Sequence, residues 1–301
     1  MRLKFFDQST EDRHLAFEQA ALRRGLSPVI IEKDFWVCWM LGVLFESKFG
    51  NHLVFKGGTS LSKVFGVIAR FSEDIDLSLS PEFLELSIPA PTQKLSRNQA
   101  NKWMTAAEAA CAQAIENQIF PELEQAIVAI LGERNHRWLE YQTDTSTNSP
   151  ILLFHYPTTQ ATGFEYIRPA VKLEFGSLTD QRPVGRHPVR PWLTDAFPQA
   201  LADWQCEVVA LELERSFWEK ATILHAEHHR PADKPMPDRF SRHYADTAAL
   251  AKHEITAQAL GDHALRDRVV NWKSQFFGSK WASYDRAKPG SFRLAPPAES
   301  L

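Results

Sequence analysis

The stretch that decides the reading of this chain is KGGTSLSKVFGVIARFSEDIDLSL, Lys56 to Leu79. Before it stands His52-Leu53-Val54-Phe55, a short β-branched and aromatic run, so a strand is expected to end at Phe55 or Lys56. Gly57 and Gly58 then form a turn, and Thr59 or Ser60 opens a helix over TSLSKVFGVI. Backbone N–H groups of a glycine turn at a helix N-terminus suit a phosphate. The pattern is not a P-loop, because GxxxxGK[ST] is absent and Lys56 precedes the glycines. Arg70 to Glu73 reads as a turn, and DIDLSLS alternates as a strand. Asp74 and Asp76 are two apart, so both carboxylates point to one face of that strand. Like charges so placed raise each other's pKa unless a cation lies between them. Mg²⁺ is a hard ion that takes carboxylate and phosphate oxygens together.

Upstream, Ser27 as N-cap and Pro28 at the first helical position open a helix over IEKDFWVCWMLGVLF. Its apolar spacing makes it largely buried, with Trp36, Trp39 and Met40 as core and Cys38 as a small buried hydrophobe. Downstream, residues 81–96 are Pro-rich and irregular, and Arg97 to about Gly132 reads as helix interrupted near Pro121. Three strands are expected in RWLEYQTD, SPILLFHYP and IRPAVKLEFGS. The last carries Lys172 and Glu174, again two apart on one face. Glu174 is a candidate third carboxylate and Lys172 a candidate phosphate contact. Residues 181–206 look loop-like, with four prolines, and the domain boundary is placed there: residues 1–182, then 183–301. Beyond it, helices are expected over VVALELERSFWEKATILHAEHH, RHYADTAALAKHE and ALRDRVVNWKSQFF, followed by a Pro-rich tail from Lys288.

The chain has 301 residues, 44% hydrophobic and 24% charged, which are globular values. No apolar run reaches about 18 residues, so no membrane span is expected. The N-terminus MRLKFFDQSTEDRH lacks the pattern of a signal peptide. A net charge of −3 excludes a strongly basic nucleic-acid coat, though not a local basic groove. Three cysteines without a CxxC pair fit a reducing cytoplasm. His225, His228 and His229 have the spacing of a metal-binding helix face, but no fourth ligand is evident, and a polar helix end is the plainer reading.

A glycine turn with Ser60, a helix, paired aspartates on the next strand and a later acidic strand resemble the DNA-polymerase-β-like nucleotidyltransferases. The similarity extends to the AbiEii/AbiGii toxin family: IEKDFWVCWML, the Lys56–Leu79 stretch, IRPAVKLEFGSLTDQRP, ERSFWEKATILHAEHHRPADKPMPDRFSRHYADTAAL and KWASYDRAKPGSFRL all look like its segments. The resemblance implies an α+β fold: a polymerase-β-like lobe with a short mixed sheet, followed by a helical lobe that completes a cleft. It implies that Lys56, Gly57, Gly58, Thr59, Ser60, Lys172 and Lys220 hold the phosphates of an NTP. Asp74, Asp76 and Glu174 are then ligands of two Mg²⁺ ions, and Lys220 and Asp246 reach the site from the helical lobe. Arg242 and His243, one turn before Asp246, would face the same cleft. Two departures bear on substrate preference: KLE stands where the family usually has KxD, and YADTA where it often has YYDLY.

The activity so implied is transfer of an NMP from an NTP to an acceptor hydroxyl, most simply the tRNA 3' end. The chain would be the toxin of a toxin–antitoxin or phage-defence pair, with an antitoxin encoded nearby. A modest basic groove around Arg215, Lys220, Arg230, Arg239 and Arg242 would serve a tRNA end. Two alternatives share the motifs: a nucleotidyltransferase acting on a protein or small-molecule hydroxyl, and a catalytically silent binding protein.

Overall fold

The computed structural model describes residues 4–87, 89, 94–145, 147–160, 168–201, 204–237 and 239–296. Ile167 of the third expected strand, part of the Pro-rich stretch 81–96 and the last five residues of the tail lie outside the described residues.

The first lobe begins with α1 (Thr10–Arg24), capped by the Ser9 side chain, and α2 (Pro28–Glu46). Pro28 does open α2, but the Ser27 side chain makes no capping bond. Strand β1 (Leu53–Lys56), helix α3 (Gly57–Lys63) and strand β2 (Ile75–Leu79) follow. Helix α3 is shorter than the expected TSLSKVFGVI. Gly66, at φ +64°, reverses the chain, and the Val67 N–H returns to the Leu61 carbonyl at 2.9 Å. Helix α4 (Arg97–Ala114) opens with a reciprocal capping box between Ser96 and Gln99. A single wide turn leads from it to α5 (Phe120–Leu131), with Pro121 in the first turn of the second helix. Strands β3 (Leu139–Thr143), β4 (Pro150–Phe154) and β5 (Val171–Gly176) stand where alternation placed them.

Three elements were not anticipated. Residues 181–206 are not all loop: β6 (Val184–Val189) and the short α6 (Leu193–Ala196) lie within them. The segment Cys206–Leu211, with residues 208–211 expected to start a helix and Cys206 to end the loop, is strand β7. Its β-branched residues Val208 and Val209 favour a strand, and β6 pairs with it along six positions in register. The sheet therefore continues to residue 211. Helix α7 (Leu213–His228) starts only after Glu212, and α8 (Ser241–Lys252), α9 (Ile255–Gly261) and α10 (His263–Phe276) complete the helical part.

The seven strands form one mixed sheet, in the order β3-β4-β5-β2-β1-β7-β6. One face carries Phe55, Leu77 and Phe175 in register across β1, β2 and β5, packed with Phe35, Trp36 and Trp39 of α2. Burying each such side chain contributes about 1.5–3 kcal/mol. Trp36 and Trp39 are core residues, in an aromatic cluster with Phe6, Phe154 and Tyr156. The α2 helix also buries three charged residues in succession, Glu32, Lys33 and Asp34. Each has a partner: Glu32 accepts from Thr158 and Thr159, Lys33 pairs with Glu73, and Asp34 pairs with Lys63. A second core cluster joins Leu61 and Ile68 to Phe217, Trp218, Leu250 and Val269 of the helical part. Among the described residues no helix is long and apolar enough to cross a membrane.

Candidate active site

Because β1 and β2 are antiparallel and β2 and β5 parallel, Lys56, Asp76 and Glu174 fall side by side in one row across three strands. Directly opposed residues share a face, so the row lies on the face away from α2. Asp74 immediately precedes β2. Its carbonyl accepts from the Thr59 hydroxyl at 2.5 Å, and its neighbour Glu73 is held by Lys33 at 2.5 Å. The paired carboxylates are thus anchored from α3 and α2 at once.

Gly57 caps the row. Its φ is +81°, and a Cβ there would stand 1.9 Å from Oδ2 of Asp76. Only glycine satisfies both the turn and the close approach. A Cβ on Gly58 would meet an Arg70 guanidinium nitrogen at 2.7 Å, so Arg70 lies against the same turn. Thr59 and Ser60 are fully buried beneath it, and the Ser60 hydroxyl donates to the Gly57 carbonyl at 2.9 Å. Their hydroxyls hold the turn together.

A cleft of about 660 Å³ opens over this row. Lys56, Gly57, Gly58 and Asp76 line it from the sheet, and Lys220, Arg242, His243 and Asp246 from α7 and α8. Asp246 is buried and takes Nε and Nη2 of Arg70 at 2.9 and 2.8 Å, with Lys220 Nζ at 3.0 Å. Burial pushes the Asp246 carboxyl up, but Arg70 and Lys220 outweigh it and hold it below the ordinary carboxylate value. His243 is driven down to about 4, first by burial and then by the charge of Lys220.

The structure thus brings Lys56, Gly57, Gly58, Asp76, Lys220 and Asp246 into one cleft. Glu174 is joined to them by register, and Lys172 lies beside it, paired to it. The histidine trio lies elsewhere. His225 accepts from the Arg293 N–H at 3.1 Å and His228 Nδ1 lies 2.8 Å from the Ala295 carbonyl oxygen, so they dock the tail on α7. The expected basic groove is narrower than five residues. Arg215 is fully buried against Asp180 and Glu219, and Arg230 pairs with Glu227, leaving Lys220, Arg239 and Arg242 on the cleft. Arg70, Glu219 and Lys273 also line it and carried no motif signal; Arg70 sits four residues before Asp74, in a stretch read only as a turn.

The donor set suits a hard divalent cation. Asp76 is pushed up to about 6, chiefly by burial; Lys56, the next largest influence, draws it down, and Glu174 and Asp74 add repulsion that raises it. Asp74 is raised for the same reasons, burial first and Glu174 next. Such carboxylates lack positive charge, which Mg²⁺ would supply. Among the described residues no three His, Cys, Asp or Glu side chains are gathered as a complete ligand set. Phosphate oxygens would have to complete the coordination.

No curated protein gives a significant match. Among solved structures, MenT4, a nucleotidyltransferase toxin from Mycobacterium tuberculosis H37Rv, superposes with a TM-score of 0.41 at 15% identity, covering 87% of this chain and 98% of that one. The sequence pattern described as "Nucleotidyl transferase AbiEii toxin, Type IV TA system" matches residues 39–298. That span takes in the carboxylate pair, Glu174, Lys220 and Asp246, and the chain belongs to this family of nucleotidyltransferase toxins of toxin–antitoxin systems.

Proposed function

We propose that the chain transfers an NMP from an NTP to the 3'-terminal hydroxyl of a tRNA, in a Mg²⁺-dependent reaction. The observation that carries this is the Lys56–Asp76–Glu174 row beneath the Gly57–Gly58 turn, faced by Lys220 across one cleft. Asp74, Asp76 and Glu174 would hold two Mg²⁺ ions, which would supply positive charge to offset the charge that develops at the reacting phosphate. Lys56 and Lys220 face the triphosphate and offset its charge. Gly57 and Gly58 let it approach the backbone. Thr59 and Ser60 act from below by fixing the turn, and Lys172 holds Glu174 in place. Asp246 and Arg70 position Lys220. An acceptor hydroxyl attacks the α-phosphate, its proton passes to solvent or a site carboxylate, and pyrophosphate leaves.

Arg239 and Arg242 line the cleft and have no ion-pair partner among the described residues, which favours an acceptor that carries phosphates. Family membership implies a cognate antitoxin, and a cytoplasmic place of action goes with a tRNA acceptor. The test is incubation with Mg²⁺, each of four α-³²P-NTPs and total tRNA, intact or periodate-oxidised. Label in intact tRNA alone is expected. Label in periodate-treated tRNA would contradict the 3' hydroxyl, and label in a protein band would move the acceptor to a polypeptide.

A further inference from the structure

Strand β5 ends in Gly176, on the same sheet face as Glu174 and in register with Ser78 of β2. Glycine inside an element costs about 0.5–1 kcal/mol against alanine. It is kept in strands for a bulge, a bend or a close approach. None of these explains Gly176. It continues the β2–β5 ladder, and a Cβ there would meet only the Leu77 carbonyl oxygen, at an ordinary 3.8 Å. What it borders is a second cavity, of about 320 Å³, within the size range of small-molecule sites.

This cavity shares Lys56, Thr179 and Phe277 with the active-site cleft, so the two adjoin. Their walls differ in kind. The cleft presents Arg70, Lys220, Arg242 and Lys273, a setting for phosphates. The second cavity presents Met104, Cys111 and Pro150 with Ser149 and Ser177, carries one carboxylate, Glu108, and has Lys56 as its one cation among the described residues. Apolar surfaces with a few polar groups suit a flat ring with a polar edge. A polyanion would be poorly held there.

We propose that this second cavity holds the nucleobase of the NTP whose triphosphate lies over Gly57 and Asp76, and that Gly176 keeps its floor open. The inference rests on the reading of the cleft as an NTP site. It gives each part of one substrate its own chemical surroundings: a cluster of cations for the triphosphate, and for the base a largely apolar wall with a few polar groups, Glu108 among them.

Two substitutions fill the cavity from different sides: Gly176→Val from β5, where valine is favoured in a strand, and Met104→Trp from α4. Calorimetry with Mg²⁺ would measure the affinity of each purified chain for the four NTPs and for inorganic tripolyphosphate, which lacks a base. Thermal unfolding would identify the folded variants. The expected result is a tenfold or greater loss of affinity for the tightest NTP in both variants, with tripolyphosphate binding unchanged. Unchanged NTP affinity in a folded variant overturns the proposal, and so does an equal loss for tripolyphosphate. Wild type that binds NTPs but transfers nothing would overturn the transferase reading and leave this one standing. Wild type that binds no NTP would overturn both.

Discussion

Arg70 reaches the carboxylate of Asp246 with two nitrogens, at 2.9 and 2.8 Å, from a segment 176 residues away in sequence. That contact ties the link between α3 and β2, which delivers the carboxylate pair, to the helical part that delivers Lys220. It also sets Asp246 apart from Asp74, Asp76 and Glu174, the carboxylates proposed to hold the metal. Both its oxygens face cations, and its charge serves to hold Arg70 and Lys220.

A first prediction follows for Asp246→Ala. The change leaves two partly buried cations without their counter-charge, which costs about 3–5 kcal/mol of stability. Transfer should fall by tenfold or more. Titrating Mg²⁺ should not restore it, because no metal ligand is lost. Recovery of activity at high Mg²⁺ would instead mark Asp246 as a ligand.

Gly57→Ala tests the turn over the row. The added Cβ would overlap Asp76 Oδ2, and the left-handed backbone costs an L-residue roughly 1–2 kcal/mol. We expect a folded protein, less stable by about that amount, with transfer reduced by at least tenfold. Steady-state rates alongside urea unfolding would check it. Activity within twofold of wild type would mean that Asp76 need not stand where it does.

The Asp34–Lys63 pair is buried on both sides, with Nζ and Oδ1 2.5 Å apart, and Asp34 also accepts the Trp192 N–H at 2.7 Å. Lys63→Met should therefore destabilise by about 3–5 kcal/mol, because it strands a buried carboxylate. Adding Asp34→Asn should recover much of that loss, since asparagine still accepts from Trp192. Urea unfolding of the singles and the double gives the coupling directly.

Glu219 predicts an acid limb. Burial raises its carboxyl, but Lys273 and Arg215 outweigh burial and bring it from 4.5 down to about 2. A depressed folded pKa stabilises above the unfolded value, so this contribution is full above about pH 4.5 and is lost as pH falls toward 2. Glu219→Gln should be clearly less stable than wild type at pH 7, and the gap should close across that window. A gap independent of pH would show that the charge of Glu219 is not what stabilises.

Much of this site was legible because the chemistry sits at fixed short spacings. The alternation of Asp74 and Asp76, and of Lys172 and Glu174, places side chains on one face whatever the rest of the fold does. Lys220 and Asp246 could be named only through resemblance, since nothing local on a helix says what lies across a cleft. Arg70 was missed for the same reason, and its meaning comes from a partner in α8. The charged Glu32, Lys33 and Asp34 were submerged in an apolar helical pattern, and their partners lie 29 to 158 residues away. Strand β7 was missed because Cys206–Leu211 runs almost directly into α7, with only Glu212 between them, and the two periodicities merge.

The central claim is that Asp74 and Asp76 form a metal-dependent nucleotidyl-transfer site. The most direct measurement is Mg²⁺-dependent incorporation of label from α-³²P-NTPs into tRNA, by wild type and by Asp74→Ala/Asp76→Ala, side by side. The account predicts label with wild type and Mg²⁺, and none with the variant or with chelator. Equal label from the variant, or label that persists in chelator, would contradict it.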